Sequence, residues 1–269
     1  MKALLILLLC FAAAPGASGP QFQDRKEYDL VGQIQLEKDP SRRLALLDRW
    51  ARSYPDSAFR QERWNQMIIA NRTLGHPRKM RDLARHMAAD NPAGFGNYWL
   101  ATLTINLQDS STQALEEGQR AADAILKNAA ENFSAANCPS SVSPAAWEKE
   151  RNRQVLIAHR TLGWVALQRK QYPEAVVELK QVVSESPDDD AEALFWLGSA
   201  LLAQQKPELQ SRALFCFALS LSVTGKGALL PEARRLVAPY FESTYTALNG
   251  SNQGMGDFVR RASTVFKPE

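Results

Sequence analysis

From Arg25 onward, apolar residues return at every third or fourth position, and no segment offers the Val/Ile/Thr alternation of a strand between hairpin turns. The pattern predicts an all-α chain. Tyr28, Val31 and Ile34 mark a first short helix, stopped near Asp39-Pro40 because a residue before proline is pushed out of helical geometry. A second follows, with Ser41 as its expected N-cap and Leu44, Leu47, Trp50 and Ala51 as its apolar stripe, closed by Tyr54-Pro55. Trp64, Met67, Ile68 and Asn71 lie along the next helix. The chain turns at Leu74-Gly75-His76-Pro77, and Met80, Leu83, Ala84 and Met87 carry the partner to Pro92. Tyr98, Trp99, Leu103 and Leu107 begin a third pair, with a polar turn at Gln108 to Thr112 and a helix from Ala114 to Leu126.

The rhythm then breaks. Residues 128–144 are rich in small and turn-forming residues and lack an apolar period, which predicts a surface loop inserted between hairpins. Ser143-Pro144 starts a long helix to about Lys170, with proline where its missing N–H matters least. Tyr172-Pro173 opens its partner, which ends near Pro187. A further hairpin spans Ala191 to Val223 with its turn at Gln204 to Pro207, and a closing helix pair is expected over 230–267.

The first residues read as an address rather than a fold. Lys2 supplies a positive start, Ala3 to Ala14 is an uncharged run of twelve, and Pro15 to Gly19 are residues a signal peptidase accepts. The run is too short to span a bilayer, which takes about 20 apolar residues. The expected product is a removed signal peptide over 1–19 and a single helical solenoid over 20–269, secreted or periplasmic. The rival is a lipoprotein lipidated at Cys10, but Leu9 stands where such motifs need a small residue. Without Lys2 the net charge of +3 falls to about +2, too little for nucleic-acid binding. Cys138 and Cys216 remain, able to pair in an oxidising compartment, although Phe215 and Phe217 favour a buried thiol at Cys216.

Leu162-Gly163, Ala175, Leu179 and Pro187 form one spaced set, and Leu197-Gly198, Ala213, Phe217 and Gly225 form another, with Leu-Gly recurring 35 residues on. The eight-residue step from Leu179 to Pro187 returns from Phe217 to Gly225, from Leu47 to Pro55 and from Ala84 to Pro92. This resembles the tetratricopeptide repeat (TPR), whose 34-residue unit sets Trp, Leu-Gly, Tyr, Ala, an aromatic and Pro at fixed intervals. Each position has a packing reason. Gly163 and Gly198 let two helices approach, Ala175 and Ala213 fill the crossing, and the apolar residue four later packs on a neighbour. The resemblance is good over 156–223 and looser over 41–127, where Met80 and Arg43 stand at the small-alanine position. His159 and Leu194 replace the family's tryptophan, and Ala166 and Leu201 its tyrosine. The chain also resembles secreted bacterial TPR proteins that combine a leader, a Trp-x-x-x-Tyr-Pro hairpin end (Trp50 to Pro55) and a closing helix pair. The resemblance implies a right-handed α-solenoid of about five or six hairpins.

Candidate chemistry is sparse. His76 and His86 lie ten apart, without the i, i+4 face of helical zinc sites, and His159 is remote in sequence. Asp188-Asp189-Asp190 lacks the glycine and alternating ligands of a calcium loop and suits the start of the following helix instead. Gly225-x-Gly227 and Gly254-x-Gly256 follow no strand, so neither reads as a dinucleotide loop. No serine or cysteine sits in a nucleophile elbow, and Cys138 has no histidine near it in sequence. No enzyme activity, metal or cofactor is expected. Asn71, Asn132 and Asn249 begin glycosylation-acceptor triplets.

What the resemblance implies is a binding surface, since the first helix of each TPR hairpin lines the concave side and can hold an extended peptide or a partner helix. Counting from Leu162-Gly163 puts Arg160, Trp164 and Gln168 there, and counting from Leu197-Gly198 puts Phe195, Ser199 and Leu202 there. Arg160 is the leading candidate, as a cation open to a partner's carboxylate. The expected function is a non-catalytic protein-binding scaffold. The alternative is a permanent subunit or assembly factor of a cell-envelope complex, which predicts a large exposed apolar patch. A peptide-processing enzyme would instead need His159 within reach of Cys138 or a serine.

Overall fold

The computed structural model describes residues 21–185 and 190–265. The segment read as a leader, Pro187, Asp188 and Asp189 lie outside the described residues. Among the described residues there are twelve α-helices and no strand. The chain divides into two compact units, Met1–Gln108 with Asp123–Val155, and Asp109–Ala122 with Leu156–Glu269.

The first unit begins with α1 (Arg25–Leu36), α2 (Pro40–Ser53), α3 (Arg60–Thr73), α4 (Pro77–Asp90) and α5 (Gly96–Leu107), each packed on the next. Asp24 caps α1, its Oδ1 accepting from Glu27 N at 2.8 Å. For α2 the cap is Asp39 rather than the expected Ser41: its Oδ1 accepts from Arg42 N at 2.8 Å, and Pro40 takes the first helical position. Proline needs no hydrogen-bond acceptor there, and the helix starts two residues earlier than a Ser41 cap would have it. The faces these helices turn to one another carry Ile34, Leu47, Trp50, Ile68, Ala84, Met87 and Leu103, all buried. Full burial of one such Leu, Ile or Met is worth about 1.5–3 kcal/mol.

Polar side chains latch the hairpins at equivalent places. Tyr54 Oη donates to Asp24 Oδ1 at 2.9 Å across the α1–α2 hairpin, and Arg60 Nε donates to Asp90 Oδ1 at 2.8 Å across α3–α4, each pair thirty residues apart. Arg63, 2% exposed, donates to the carbonyls of Tyr54 and Pro55 at 2.6 and 3.2 Å and so satisfies the end of α2. Glu27 is buried beneath this turn and accepts from Trp50 Nε1 at 2.8 Å and Gln23 N at 2.7 Å.

Next comes α6 (Thr112–Asn132), a 3₁₀ turn at Ala135–Asn137, and α7 (Pro144–Gln168). The inserted loop is therefore shorter than the composition suggested: α6 runs five residues into it, with Ala129 buried. Ser143 caps α7, its Oγ accepting from Ala146 N at 3.2 Å.

In the second unit α8 (Tyr172–Glu185), α9 (Ala191–Ala203) and α10 (Pro207–Ser222) pack in order, and α11 (Pro231–Asn249) and α12 (Met255–Val265) both pack on α10. The spaced glycines act here. A Cβ on Gly163 would stand 2.6 Å from Leu179 Cγ, and one on Gly198 would stand 2.7 Å from Phe217 Cε1. Ala175, Leu179, Ala213 and Phe217 are all fully buried. The succession of packed helices in both units is compatible with a helical-repeat solenoid.

Candidate functional site

On α3, Glu62, Asn65, Ile69 and Arg72 follow one another at steps of three or four and share one face. On α5, Trp99, Thr102 and Asn106 do the same. The two rows meet. Trp99 Nε1 donates to Asn65 Oδ1 at 2.9 Å, and the Arg72 guanidinium lies over the Trp99 ring at 5.7 Å. The partners Asn65 and Trp99 are 34 residues apart in sequence, as are Arg72 and Asn106.

Between these rows and the α3–α4 turn is a recess of about 320 Å³, with Arg72, His76, Thr102 and Asn106 as its polar lining and Met80, Trp99 and Leu103 as apolar lining. Arg72 and Asn106 are exposed, whereas Trp99 is held at 2% exposure. At the other end of the α3 row, burial pushes the Glu62 carboxyl up to about 7, despite a 3.2 Å hydrogen bond from Gln66 Nε2, the charge of Arg43 and a hydrogen bond from Asn65. The face thus carries a cation over an aromatic ring, hydrogen-bonding amides and hydroxyls, and a weakly acidic carboxyl. Such a surface offers hydrogen-bonding and ion-pairing groups side by side.

The residues singled out by counting from Leu-Gly fare differently. Arg160 is not an open cation: Nη2 is hydrogen-bonded to Glu192 Oε2 at 2.5 Å, and Nε lies 3.0 Å from Asp190 Oδ2 as an ion pair without hydrogen-bond alignment. Its guanidinium also covers the Trp196 ring at 5.0 Å. Burial raises the Glu192 pKa above its ordinary value, with the Arg160 charge working against that shift. Asp190 caps α9 as well, accepting from Ala193 N at 3.0 Å. Trp164 is buried at 3% exposure and belongs to the packing between helices. Phe195 is half-buried against Phe217 and Tyr240, and Ser199 donates to the Phe195 carbonyl at 2.8 Å. Leu202 is half-buried, and Gln168 is exposed.

Each histidine has a neighbour: His76 Nδ1 is 3.2 Å from Asn71 Oδ1, His86 stacks on Trp64, and His159 Nδ1 is 2.7 Å from Glu178 Oε2. Cys138 and Cys216 are both free thiols, and burial pushes the Cys216 thiol up to about 12. Of the three acceptor asparagines, Asn71 is buried and Asn249 is exposed.

Asn65, Arg72 and Asn106 are not marked by counting from Leu-Gly, since the Leu74-Gly75 pair lies in the turn after α3 rather than inside a helix, and Trp99 reads there only as an apolar helix position. Their signal was available as polar residues at three- and four-residue steps, repeated after 34. No family model, no curated protein and no solved structure matches the chain.

Proposed function

We propose that this chain is an exported, non-catalytic scaffold of TPR-like hairpins, following the right-handed path that the resemblance implies and holding a protein or an extended peptide on its first-helix face. The observation that carries the reading is the Asn65–Trp99 pair: equivalent positions of neighbouring first helices, one TPR length apart, joined side by side. Beside them Arg72, Thr102 and Asn106 offer an ion-pairing group and hydrogen-bonding groups along an extended line. Arg160, Trp164, Phe195 and Ser199 are engaged in internal packing or pairing, which supports the α3–α5 face of the first unit as the binding surface; Gln168 is exposed in the second unit. The test is cross-linking in the native host followed by fractionation. The scaffold reading requires a processed chain outside the cytoplasm that carries a protein adduct, lost in Arg72→Glu; an unprocessed cytoplasmic chain, or no adduct, contradicts it.

A second reading, a permanent subunit of an envelope complex, draws on α11. Leu236 is 74% exposed and Tyr240, one turn on, is 42% exposed, with Leu230 at 71% exposure just before the helix. That reading predicts co-purification in fixed stoichiometry, abolished by Leu236→Glu rather than by Arg72→Glu.

A further inference from the structure

Within the first unit a second recess, of about 340 Å³, opens where the hairpin rhythm is interrupted. It is formed by the turn before α5, the end of α6, the 3₁₀ turn and the first half of α7. Its volume is at the small end of ligand pockets, enough for one compact group. Phe95, Phe133 and Trp147 supply aromatic walls, the last two with ring centroids 4.7 Å apart.

The polar lining leaves more acceptors than donors open. Asn132 Nδ2 donates to the Ala93 carbonyl at 2.7 Å, Asn137 Nδ2 to the Glu131 carbonyl at 2.8 Å, and Gln154 Nε2 to Glu150 Oε1 at 3.0 Å. Trp147 Nε1 donates to the Ser134 carbonyl at 3.3 Å. The single N–H of Trp147 and one of the two N–H groups of each amide are therefore engaged with the protein. The amide oxygens of Asn132, Asn137 and Gln154 accept no hydrogen bond from the described residues, and Gln154 is only 9% exposed. The one formally charged lining residue, Glu150, is an acid, held by Arg153 through Nε at 2.7 Å and through Nη2. Arg153 does not line the recess; its guanidinium lies over the Tyr98 ring at 4.4 Å.

Ring faces, amide oxygens and a carboxylate all present negative potential. We propose that this recess binds an organic cation, a primary ammonium on a short apolar stem. The ammonium carries three N–H donors and no acceptor, matching three open amide oxygens, while the stem lies on the rings. Because Arg153 already neutralises Glu150, selectivity comes from the dipoles and ring faces rather than from a free charge. This inference does not depend on the scaffold reading. The same chemistry is carried by a free amine and by a lysine side chain of another protein.

The test uses the full mature chain and three probes that share one ring: benzylammonium, benzyl alcohol and benzoate. Nuclear magnetic resonance follows the side-chain amides of Asn132, Asn137 and Gln154 and the indole N–H of Trp147. Benzylammonium is expected to shift these signals saturably, with an affinity at least about tenfold above that of benzyl alcohol, and benzoate to leave them unmoved. Trp147→Leu and Asn137→Lys should each weaken the cation by about tenfold or more; Asn137 is exposed, so that variant keeps the fold even if the first does not. A lysine-containing tetrapeptide is compared with its acetyl-lysine form. Lysine-dependent binding at the affinity of benzylammonium assigns a partner's side chain, and binding of benzylammonium alone assigns a free amine. Equal binding of benzyl alcohol, binding of benzoate, indifference to Asn137→Lys, or equal binding of both tetrapeptides overturns the proposal.

Discussion

Trp99 closes onto Asn65, 34 residues upstream, through a 2.9 Å hydrogen bond from its buried indole. This bond ties α3 to α5 where the proposed binding face runs. Trp99→Phe keeps most of the apolar volume and leaves Asn65 Oδ1 without its donor. The expected loss is about 1–3 kcal/mol, read as a lower urea midpoint, and Asn65→Leu with Trp99→Phe should recover part of it.

The spaced glycines give opposite expectations by position. Gly198→Ala drives a methyl to 2.7 Å from the Phe217 ring, which is fully buried and has nowhere to move, so the thermal midpoint should fall with a loss of about 1–3 kcal/mol. Gly32 lies inside α1, and a methyl added there would have nothing within 4 Å, so Gly32→Ala should gain about 0.5–1 kcal/mol from helix propensity.

Glu62 makes stability depend on pH. Its carboxyl titrates near 7 in the fold against an ordinary 4.5, chiefly because burial disfavours the charge. Between those values the folded chain holds a proton that the unfolded chain has lost, so this group's contribution to stability falls as pH rises from about 4.5 to about 7. Glu62→Gln should flatten that part of the profile and raise the urea midpoint at pH 8 relative to pH 5; an unchanged slope rejects this role.

The two described cysteines should separate by reactivity. Cys216 is buried and its thiol is pushed up to about 12, while Cys138 is half-buried in the inserted loop. At pH 8 a thiol reagent should label Cys138 in the native chain and reach Cys216 only after denaturation, as peptide mapping would record.

Arg160 illustrates how far the sequence carries. Its placement on α7 near the Leu-Gly pair was readable, but its neutralisation by Asp190 and Glu192 depends on where the next hairpin starts, about thirty residues away. Arg160→Glu should therefore set three carboxylates together and lower stability by about 1–3 kcal/mol, seen as a drop in the thermal midpoint.

Helix starts were legible at Pro77, Pro144, Pro207 and Pro231, because proline constrains the backbone locally; at Pro40 the break was legible but the cap is Asp39 rather than Ser41. The Gly163–Leu179 and Gly198–Phe217 approaches were legible through their spacing. The close approach of Gly96 to the end of α4, where a Cβ would collide with the backbone N of Ala88, carried no such motif. The C-terminal turns of α6 were hidden because alanine and asparagine give no apolar period, although alanine is the strongest helix former and Ala129 packs inward. The α3–α5 face escaped because its residues are polar, and polar positions acquire meaning only when neighbouring helices set them side by side.

The central claim, that the face joined by Asn65 and Trp99 receives a protein chain, is tested most directly by site-specific photo-cross-linking in the native host. A photoreactive residue replaces Thr102 or Asn106 on that face, or Lys127 on α6 as a control. The account predicts one discrete protein adduct from positions 102 and 106, absent from 127 and competed away by excess wild-type chain. No adduct from the face, or the same adducts from all three positions, would contradict it.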